Sequence, residues 1–487
     1  VPFLLALAGG AVLRWTAVRA YPNGLWFTGD SYFYLGYALR PSPSPSKTLG
    51  YPFLLRLLEP LHSLTAIVAV QHLMGLAVAG LAYALLCRAG LPAWAGTLVT
   101  LPLLYDAYQV ELEHLLMSET LFTFLIMAAL TLLLWRTGAP GDDPPVPPWW
   151  AAAAAGLLIG YAVLVRSAGV PLVPAVLLWV LLRRRAGTRR PRWLTAAAWR
   201  PALAFGAAAA LPLAAYAAWF HSQHGVYALT STDGLYLWGR TASFADCAKI
   251  DPPAEQVPLC LDERIRAEGD APGHLIWRGD IPPRRVFDPV AAPEANAALR
   301  GFAVRAILAQ PGDYLRTVGA GIGMAFDSRR HPHPTAGTEA LYHFPARPHV
   351  FPGGRSLPAG GTARSDAVHF GGEHPSRVVR PHADRMIAYQ ERWYLPGPAL
   401  GALFAAGAAG VLLARRRRRE VLLAWGTGAT LLVFPIASAD FDYRYVVPAM
   451  PFACLAAGLA LASVPRVSRW SGTPGSRPRG SGPATAP

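Results

Sequence analysis

The sequence predicts an all-α polytopic membrane protein of about ten transmembrane helices, with an extracytoplasmic domain of mixed helical and irregular structure. Three observations lead there. The chain of 487 residues is 53% hydrophobic and only 15% charged, with a mean hydropathy of +0.29, whereas roughly a quarter of the residues in a soluble domain are charged. Apolar runs of spanning length recur along it. Its cations, which set a formal net charge of +15, are mostly arginine and fall in clusters between those runs. Clusters beside spans report topology and do not suggest nucleic acid as a partner.

A spanning helix needs about 20 mostly apolar residues. In chain order the expected spans are Pro2–Val18, Leu64–Leu86, Leu91–Tyr108, Leu115–Trp135, Trp150–Ala168, Val170–Leu182, Pro201–Phe220, Pro398–Ala414, Val421–Ala437 and Val446–Val464. Trp149, Trp150, Trp219, Trp393 and Tyr394 fall at their ends, where amphipathic rings favour the headgroup region. The first segment carries Arg14 and Arg19 and ends without a small-residue cleavage site. It reads as a retained helix, not a signal peptide. The chain opens at Val1, so either the start is missing or valine marks an alternative start codon. Abundant Ala, Gly, Pro and Arg suggest a high-GC bacterial genome.

The stretch Trp150–Leu182 is too long for one straight span and short for two. Pro171 and Pro174 favour a break, since each removes a backbone donor. With a hairpin there, three arginine clusters fall on one side. They are Arg183, Arg184, Arg185, Arg189, Arg190, Arg192 and Arg200; then Arg415 to Arg419; then Arg466, Arg469, Arg477 and Arg479. The positive-inside rule makes that side the cytoplasm. The expected location is therefore a bacterial plasma membrane, with the C-terminus cytoplasmic. The expected organisation is a transmembrane core (1–220) with a first outer loop (20–63), an extracytoplasmic domain (221–395), C-terminal helices (396–465) and a disordered tail (466–487). Cys247 and Cys260 lie in the outer domain. A disulfide suits an oxidising compartment; two unpaired thiols are the alternative.

Within that domain, Pro293–Ala309 has helical spacing and ends before Pro311. Asp313 is a candidate cap for a second helix, DYLRTVGAGIGMAF. Pro41–Ser46 reads as a stiff extended linker. Histidines 331, 333, 343, 349, 369, 374 and 382 match no compact zinc spacing. Gly319–Gly323 lacks the strand and the full spacing of a dinucleotide loop.

The informative polar residues sit at expected span ends. Asp30 lies in WFTGDSYFYL after the first span, beside Gly29, and Lys47 precedes Gly50-Tyr51-Pro52. Asp106, Glu111, Glu113 and Glu119 crowd the second outer turn. Glu119 opens a span, either as a cavity-facing acid or as a helix N-terminal acid favoured by the dipole. Arg166 and Arg444 lie at outer helix ends, against the positive-inside bias. Snorkelling, or a local pair with Asp440 or Asp442, is the simplest account of them. An anionic phosphate partner is the functional one. Together these groups hold both halves of a transfer reaction: a carboxylate to accept a proton and cations to hold a departing phosphate. Activated nucleotides are made in the cytoplasm, so an outward-facing enzyme needs its activated group delivered on lipid.

These pieces resemble the GT-C glycosyltransferases, multispanning enzymes that move sugars from polyprenyl-phosphate carriers. The protein O-mannosyltransferases, lipid A aminoarabinose transferases and cell-wall arabinofuranosyltransferases are examples. The resemblance runs from Val1 to about Phe220 and returns near the last spans. It rests on GDSYFYL, KTLGYPFLL, LMSETLF, VRSAG and DYRYVVPAMP in that order. It implies an inverting transfer from a polyprenyl-phosphate sugar to a glycan, lipid or protein acceptor. Asp30 matches the first-loop catalytic acid, Glu119 the second acid, and Lys47 the basic residue of the loop. Arg166, Arg444 and Tyr445 are the further donor-phosphate candidates. Tyr34, Tyr51 and His114 are candidates for contacting substrate. Many relatives carry two adjacent acids in the first loop, whereas Ser31 follows Asp30 here. No cofactor is the favoured expectation, with a divalent metal as the alternative. Two alternatives use the same residues: a transporter or flippase of lipid-linked glycans, and an inactive scaffold of the same fold.

Overall fold

A backbone removed from water must satisfy its own hydrogen bonds, which is why apolar runs fold as helices. The computed structural model describes residues 1–27, 29–136, 146–182, 196–372, 377–414 and 417–464. The first half contains α1 (Pro2–Ala20), α2 (Asp30–Leu39), α3 (Gly50–Leu58), α4 (Leu64–Arg88), α5 (Ala93–Tyr105) and α6 (Ala107–His114). There follow α7 (Glu119–Leu134), α8 (Trp149–Val165), α9 (Leu172–Leu181), α10 (Ala196–His224) and α11 (Asp233–Ala242). Short helices α12 (Cys247–Ile250), α13 (Glu263–Glu268), α14 (Pro272–Leu275) and α15 (Pro282–Val286) precede α16 (Pro293–Ala309) and α17 (Pro311–Phe326). Then come α18 (Ala336–Ala340), α19 (Ala363–His369), α20 (His382–Gln390), α21 (Gly397–Leu413), α22 (Arg418–Ser438) and α23 (Tyr443–Leu461). Among the described residues β structure is limited to isolated bridges, Leu25 with Leu115 and Ser356 with Thr362.

Among the described residues, five helices are long and apolar enough to cross a membrane: α1, α4, Trp199–His224 within α10, α22 and α23. Shorter apolar helices stand at the other expected spans: α5, α7, α8, α21 and Ser167–Leu181. Helix α8 stops at Val165, a 3-10 turn occupies Ser167–Gly169, and α9 starts at Leu172. The end of α8 meets the start of α7 through Arg166 and Ser118 (3.1 Å). The end of α9 meets the start of α22, where Trp179 Nε1 donates to Arg419 O (2.8 Å). Helix α22 then runs back toward the Asp440–Arg444 segment. So α8 runs toward the end of the bundle that holds Arg166 and Arg444, and α9 runs away from it. Arg418 and Arg419, at the start of α22, thus lie at the opposite end from Arg444. Arg183 to Arg192, Arg415, Arg416 and the cluster from Arg466 to Arg479 lie outside the described residues, as does the tail 466–487.

A buried ion pair ties the first helices together. Arg14 of α1 holds both Glu113 oxygens (2.7 and 2.8 Å) and donates to Leu104 O (2.8 Å). Glu113 also accepts from Gln109 (2.8 Å) and meets His72 Nδ1 of α4 (3.0 Å). Burial pushes the Glu113 carboxyl up, but Arg14 and His72 more than offset it and hold it low. The pair requires Gly75, because a Cβ there would lie 1.9 Å from Glu113 Oε1.

The stretch 221–395 packs in two ways. Leu235, Trp238, Leu259, Ile276, Leu299 and Phe302 form a small core of their own. Val318, Tyr342, Phe344, Phe370 and Met386 instead join the main core with the spanning helices. Helix α16 has the bounds read from its periodicity. Helix α17 starts two residues ahead of Asp313, after Gln310. Asp313 does not cap it; its carboxylate accepts from Gln310 Nε2 (2.9 Å) and Arg316 (3.1 Å). Gly319–Gly323 lies inside that helix. Cys247 and Cys260 are disulfide-bonded across a sequence separation of 13. Closing a loop of that size restrains the unfolded chain by about 3 kcal/mol. Alkylation read by peptide mass spectrometry should leave both residues unmodified until reduction. The Cys247→Ser/Cys260→Ser variant should lose hydrogen-exchange protection in 235–306 first; labelling without reductant would contradict the bridge.

Candidate functional site

The bundle end that receives α8 and starts α7 and α23 gathers charged side chains from segments far apart in sequence. Asp30 is the first residue of α2, where a carboxylate suits the helix N-terminus. Gly29 precedes it with φ 88°, a left-handed backbone that favours glycine. A Cβ on Gly29 would meet nothing within 4 Å, so space is open beside the acid. The Asp30 carboxylate accepts from Lys47 Nζ on one oxygen and from Arg444 Nη1 on the other (2.6 Å). Burial pushes its carboxyl up, but Lys47 and Arg444 outweigh this and bring it down to about 2. Burial is also what lowers the Lys47 ammonium, against the opposing effect of Asp30. Lys47 Nζ lies over the Phe33 and Tyr34 rings, at 5.2 and 5.4 Å.

Arg444 Nε also approaches Asp442 Oδ2 (3.1 Å), and Tyr342 donates to Asp442 Oδ1 (2.5 Å). The Arg444 guanidinium lies 5.5 Å from the rings of both Phe27 and Tyr445. Tyr445 also lies 5.8 Å from the Arg166 guanidinium, so it stands between the two arginines. Arg166 pairs with Glu119 and donates to Ser118 Oγ (3.1 Å). The Arg166 and Glu119 side chains are only 13% and 0% exposed, which rules out snorkelling for Arg166. Ser118 precedes α7 but makes no capping bond. Its hydroxyl instead serves Arg166 and the Tyr34 phenol (3.1 Å). Three acids, Asp30, Glu119 and Asp442, thus face three cations, Lys47, Arg166 and Arg444. Unoccupied, the cluster is close to neutral.

Not every candidate faces this cluster. Tyr51 is fully buried; it packs edge-on against Tyr34 and donates to Gln71 Oε1 (2.5 Å). It supports Tyr34 from behind. His114 is fully buried as well, with Nε2 donating to Tyr21 O (2.9 Å) and Nδ1 against His72 (2.9 Å). Burial, then His72, pushes its imidazole down to about 3. Both of its nitrogens are thus engaged, away from the cluster. Of the four acids in the turn, only Glu119 reaches the site. Asp106 caps α6 and accepts from Leu395 N (2.6 Å), Glu113 holds Arg14, and burial pushes the Glu111 carboxyl well up. Asp440 pairs with Arg240 (3.3 Å) and His333 (3.0 Å), not with Arg444.

Three of the outer histidines meet single acids: His331 with Asp327, His343 with Glu339 and His369 with Glu59. His374 lies outside the described residues. Among the described residues no three His, Cys, Asp or Glu side chains form a metal-sized group. Sequence reasoning missed Ser118, Tyr342 and Phe27. Ser118 had a signal in its place beside Glu119; Tyr342, in a loop 100 residues from Asp442, had none.

No protein-family model and no curated protein matches the sequence. Among solved structures, it resembles the Archaeoglobus fulgidus oligosaccharyltransferase in its apo form, with a TM-score of 0.41 and 13% identity over 94% of this chain and 50% of that one. It also resembles the same archaeal enzyme in complex with an inhibitory peptide and a dolichol-phosphate, with a TM-score of 0.40 and 14% identity over 94% and 50% of the two chains. This chain therefore spans about half the length of these structures. No residue assignment is drawn from the likeness.

Proposed function

We propose that the chain is an inverting membrane glycosyltransferase that moves a sugar from a polyprenyl-phosphate-linked donor to an extracytoplasmic hydroxyl. One observation carries this: Asp30, beside open space, shares its carboxylate between Lys47 and Arg444. An acid held at about 2 is a weak base as long as both cations stay on it. A donor phosphate competes for those cations and so raises the proton affinity of Asp30 at the moment of binding.

The step then balances. The acceptor oxygen attacks the anomeric carbon from the face opposite the phosphate, and the bond from that carbon to the phosphate oxygen breaks. The hydroxyl proton passes to Asp30, and the bonding electrons leave with the lipid phosphate. Proton transfer removes the negative charge that held Lys47 and Arg444 just as charge grows on the leaving oxygen. The two cations turn to that oxygen, and Arg166, positioned by Glu119 and Ser118, holds the phosphate from the other side. These cations sit at helix ends, the depth expected of a phosphate anchored by a lipid tail.

A charge-assisted bond to phosphate contributes roughly 1.5–3 kcal/mol. Arg444→Ala and Arg166→Ala should each weaken donor use by about ten- to a hundred-fold. Lysine at either position should restore it partly, since a point charge cannot form the bidentate fork. The test is purified protein in nanodiscs with radiolabelled polyprenyl-phosphate sugars and, separately, nucleotide sugars. Transfer from nucleotide sugars alone, or unchanged donor use by both alanine variants, would overturn the proposal.

A further inference from the structure

Helix α11 is fastened at both ends to the two segments that bring cations to the site. At its start, Ser231 N donates to Pro45 O (2.8 Å), two residues ahead of Lys47. Thr232 Oγ1 donates to the same carbonyl (3.4 Å), and at the end of α10 His224 Nε2 donates to Pro43 O (2.8 Å). Near its end, Arg240 pairs with Asp440 (3.3 Å), four residues ahead of Arg444, and donates to Thr317 O (2.8 Å). Its other side is set in the small outer core: Gly234 N donates to Asn296 Oδ1 (2.6 Å), and Trp238 Nε1 donates to Leu259 O (3.0 Å). The helix therefore lies as a strap from the Lys47 segment to the Arg444 segment.

Tyr236 sits one turn before Arg240, on the same face of that strap. It is half-buried, with its ring edge-on to Trp277 at 6.5 Å. Its hydroxyl has no hydrogen-bond partner among the described residues. Burial, then Asp30 and Tyr445, pushes the phenol up, against the opposing influence of Arg444 and Arg166. Its proton is thus held on, with Asp30, Arg444 and Arg166 of the cluster among the influences. A phenol without a partner, midway along a strap fastened to both cation segments, is a hydrogen-bond donor that a phosphate oxygen would complete. The cations alone leave such a need, because each already serves a carboxylate.

We propose that Tyr236 is a ligand of the donor's phosphate, supplied by the outer region and held over Lys47 and Arg444 by the α11 strap. This rests on the lipid-phosphate donor reading above. Because one helix fastens both cation segments, Tyr236 stays in register with the two of them together.

The experiment titrates the full chain in detergent with undecaprenyl phosphate and, in parallel, with phosphate-free undecaprenol, read by native mass spectrometry. Tyr236→Phe is compared with Arg444→Ala and with Trp277→Phe. Tyr236→Phe should bind the phosphate about ten-fold more weakly and the alcohol as the unaltered chain does, with the thermal midpoint unchanged. Trp277→Phe should bind both like the unaltered chain. If Arg444→Ala weakens phosphate binding and Tyr236→Phe does not, the phosphate site stands and the role of Tyr236 falls. If Tyr236→Phe weakens phosphate and alcohol alike, its role is structural and the inference falls. An unaltered chain with no preference for phosphate over alcohol would overturn the donor reading, and this inference with it.

Discussion

Asp30→Asn is expected to lower transfer by about 10²–10⁴-fold, the usual cost of removing a general base. Donor binding should not weaken with it. Asparagine keeps the shape but releases Lys47 and Arg444, so the lipid phosphate meets a more positive site. Turnover and lipid-phosphate affinity should therefore move apart, whereas unfolding would lower both. Asp30→Glu keeps the charge and should retain more activity than Asp30→Asn. Some stability is lost in Asp30→Asn, because the residue is only 14% exposed and bonds two cations; differential scanning fluorimetry sets that baseline. The pH dependence has a definite sign. The folded acid lies at about 2, below its ordinary 3.8, so its contribution to stability is present above 3.8 and lost only as pH falls toward about 2. Turnover by Asp30→Asn equal to that of the unaltered chain, with chemistry rate-limiting, would remove Asp30 from the mechanism.

Glu113→Ala should be the most destabilising single change in the bundle. It leaves the Arg14 guanidinium, 2% exposed, without its carboxylate. Stranding one member of a buried pair costs about 3–5 kcal/mol. The loss also frees Gln109 and His72, which meet the same carboxylate. The double variant Arg14→Met/Glu113→Leu should recover most of the stability, because removing both charges leaves nothing unpaired. Denaturant unfolding in detergent measures this. A fall of less than about 1 kcal/mol in Glu113→Ala, the size of a surface pair, would show that water reaches the site.

Glu113 and Glu119 illustrate how far sequence reading carries. Both are acids of one stretch between apolar runs, six residues apart, and hydropathy treats them alike. The structure gives them different tasks, one bracing α1 against α4 and α6, the other holding Arg166 at the site. The same limit applies to His114, a substrate-contact candidate in the sequence. Its burial depends on Tyr21 and His72, which lie on two other segments. Asp442 and Asp440, two residues apart, likewise part company, one going to Arg444 and the other to Arg240.

What the sequence determined by itself was the membrane class, the placement of the apolar helices, the break between α8 and α9, and the positions where charge at span ends needed a partner. These follow from hydropathy, proline and charge along the chain, which are local properties. Only the tertiary structure decided who the partners are. Asp30 and Arg444 are 414 residues apart, and Tyr342 and Asp442 are 100 apart. Such pairings depend on how helix ends converge after packing, and a carboxylate in sequence carries no mark of which cation packing will bring to it.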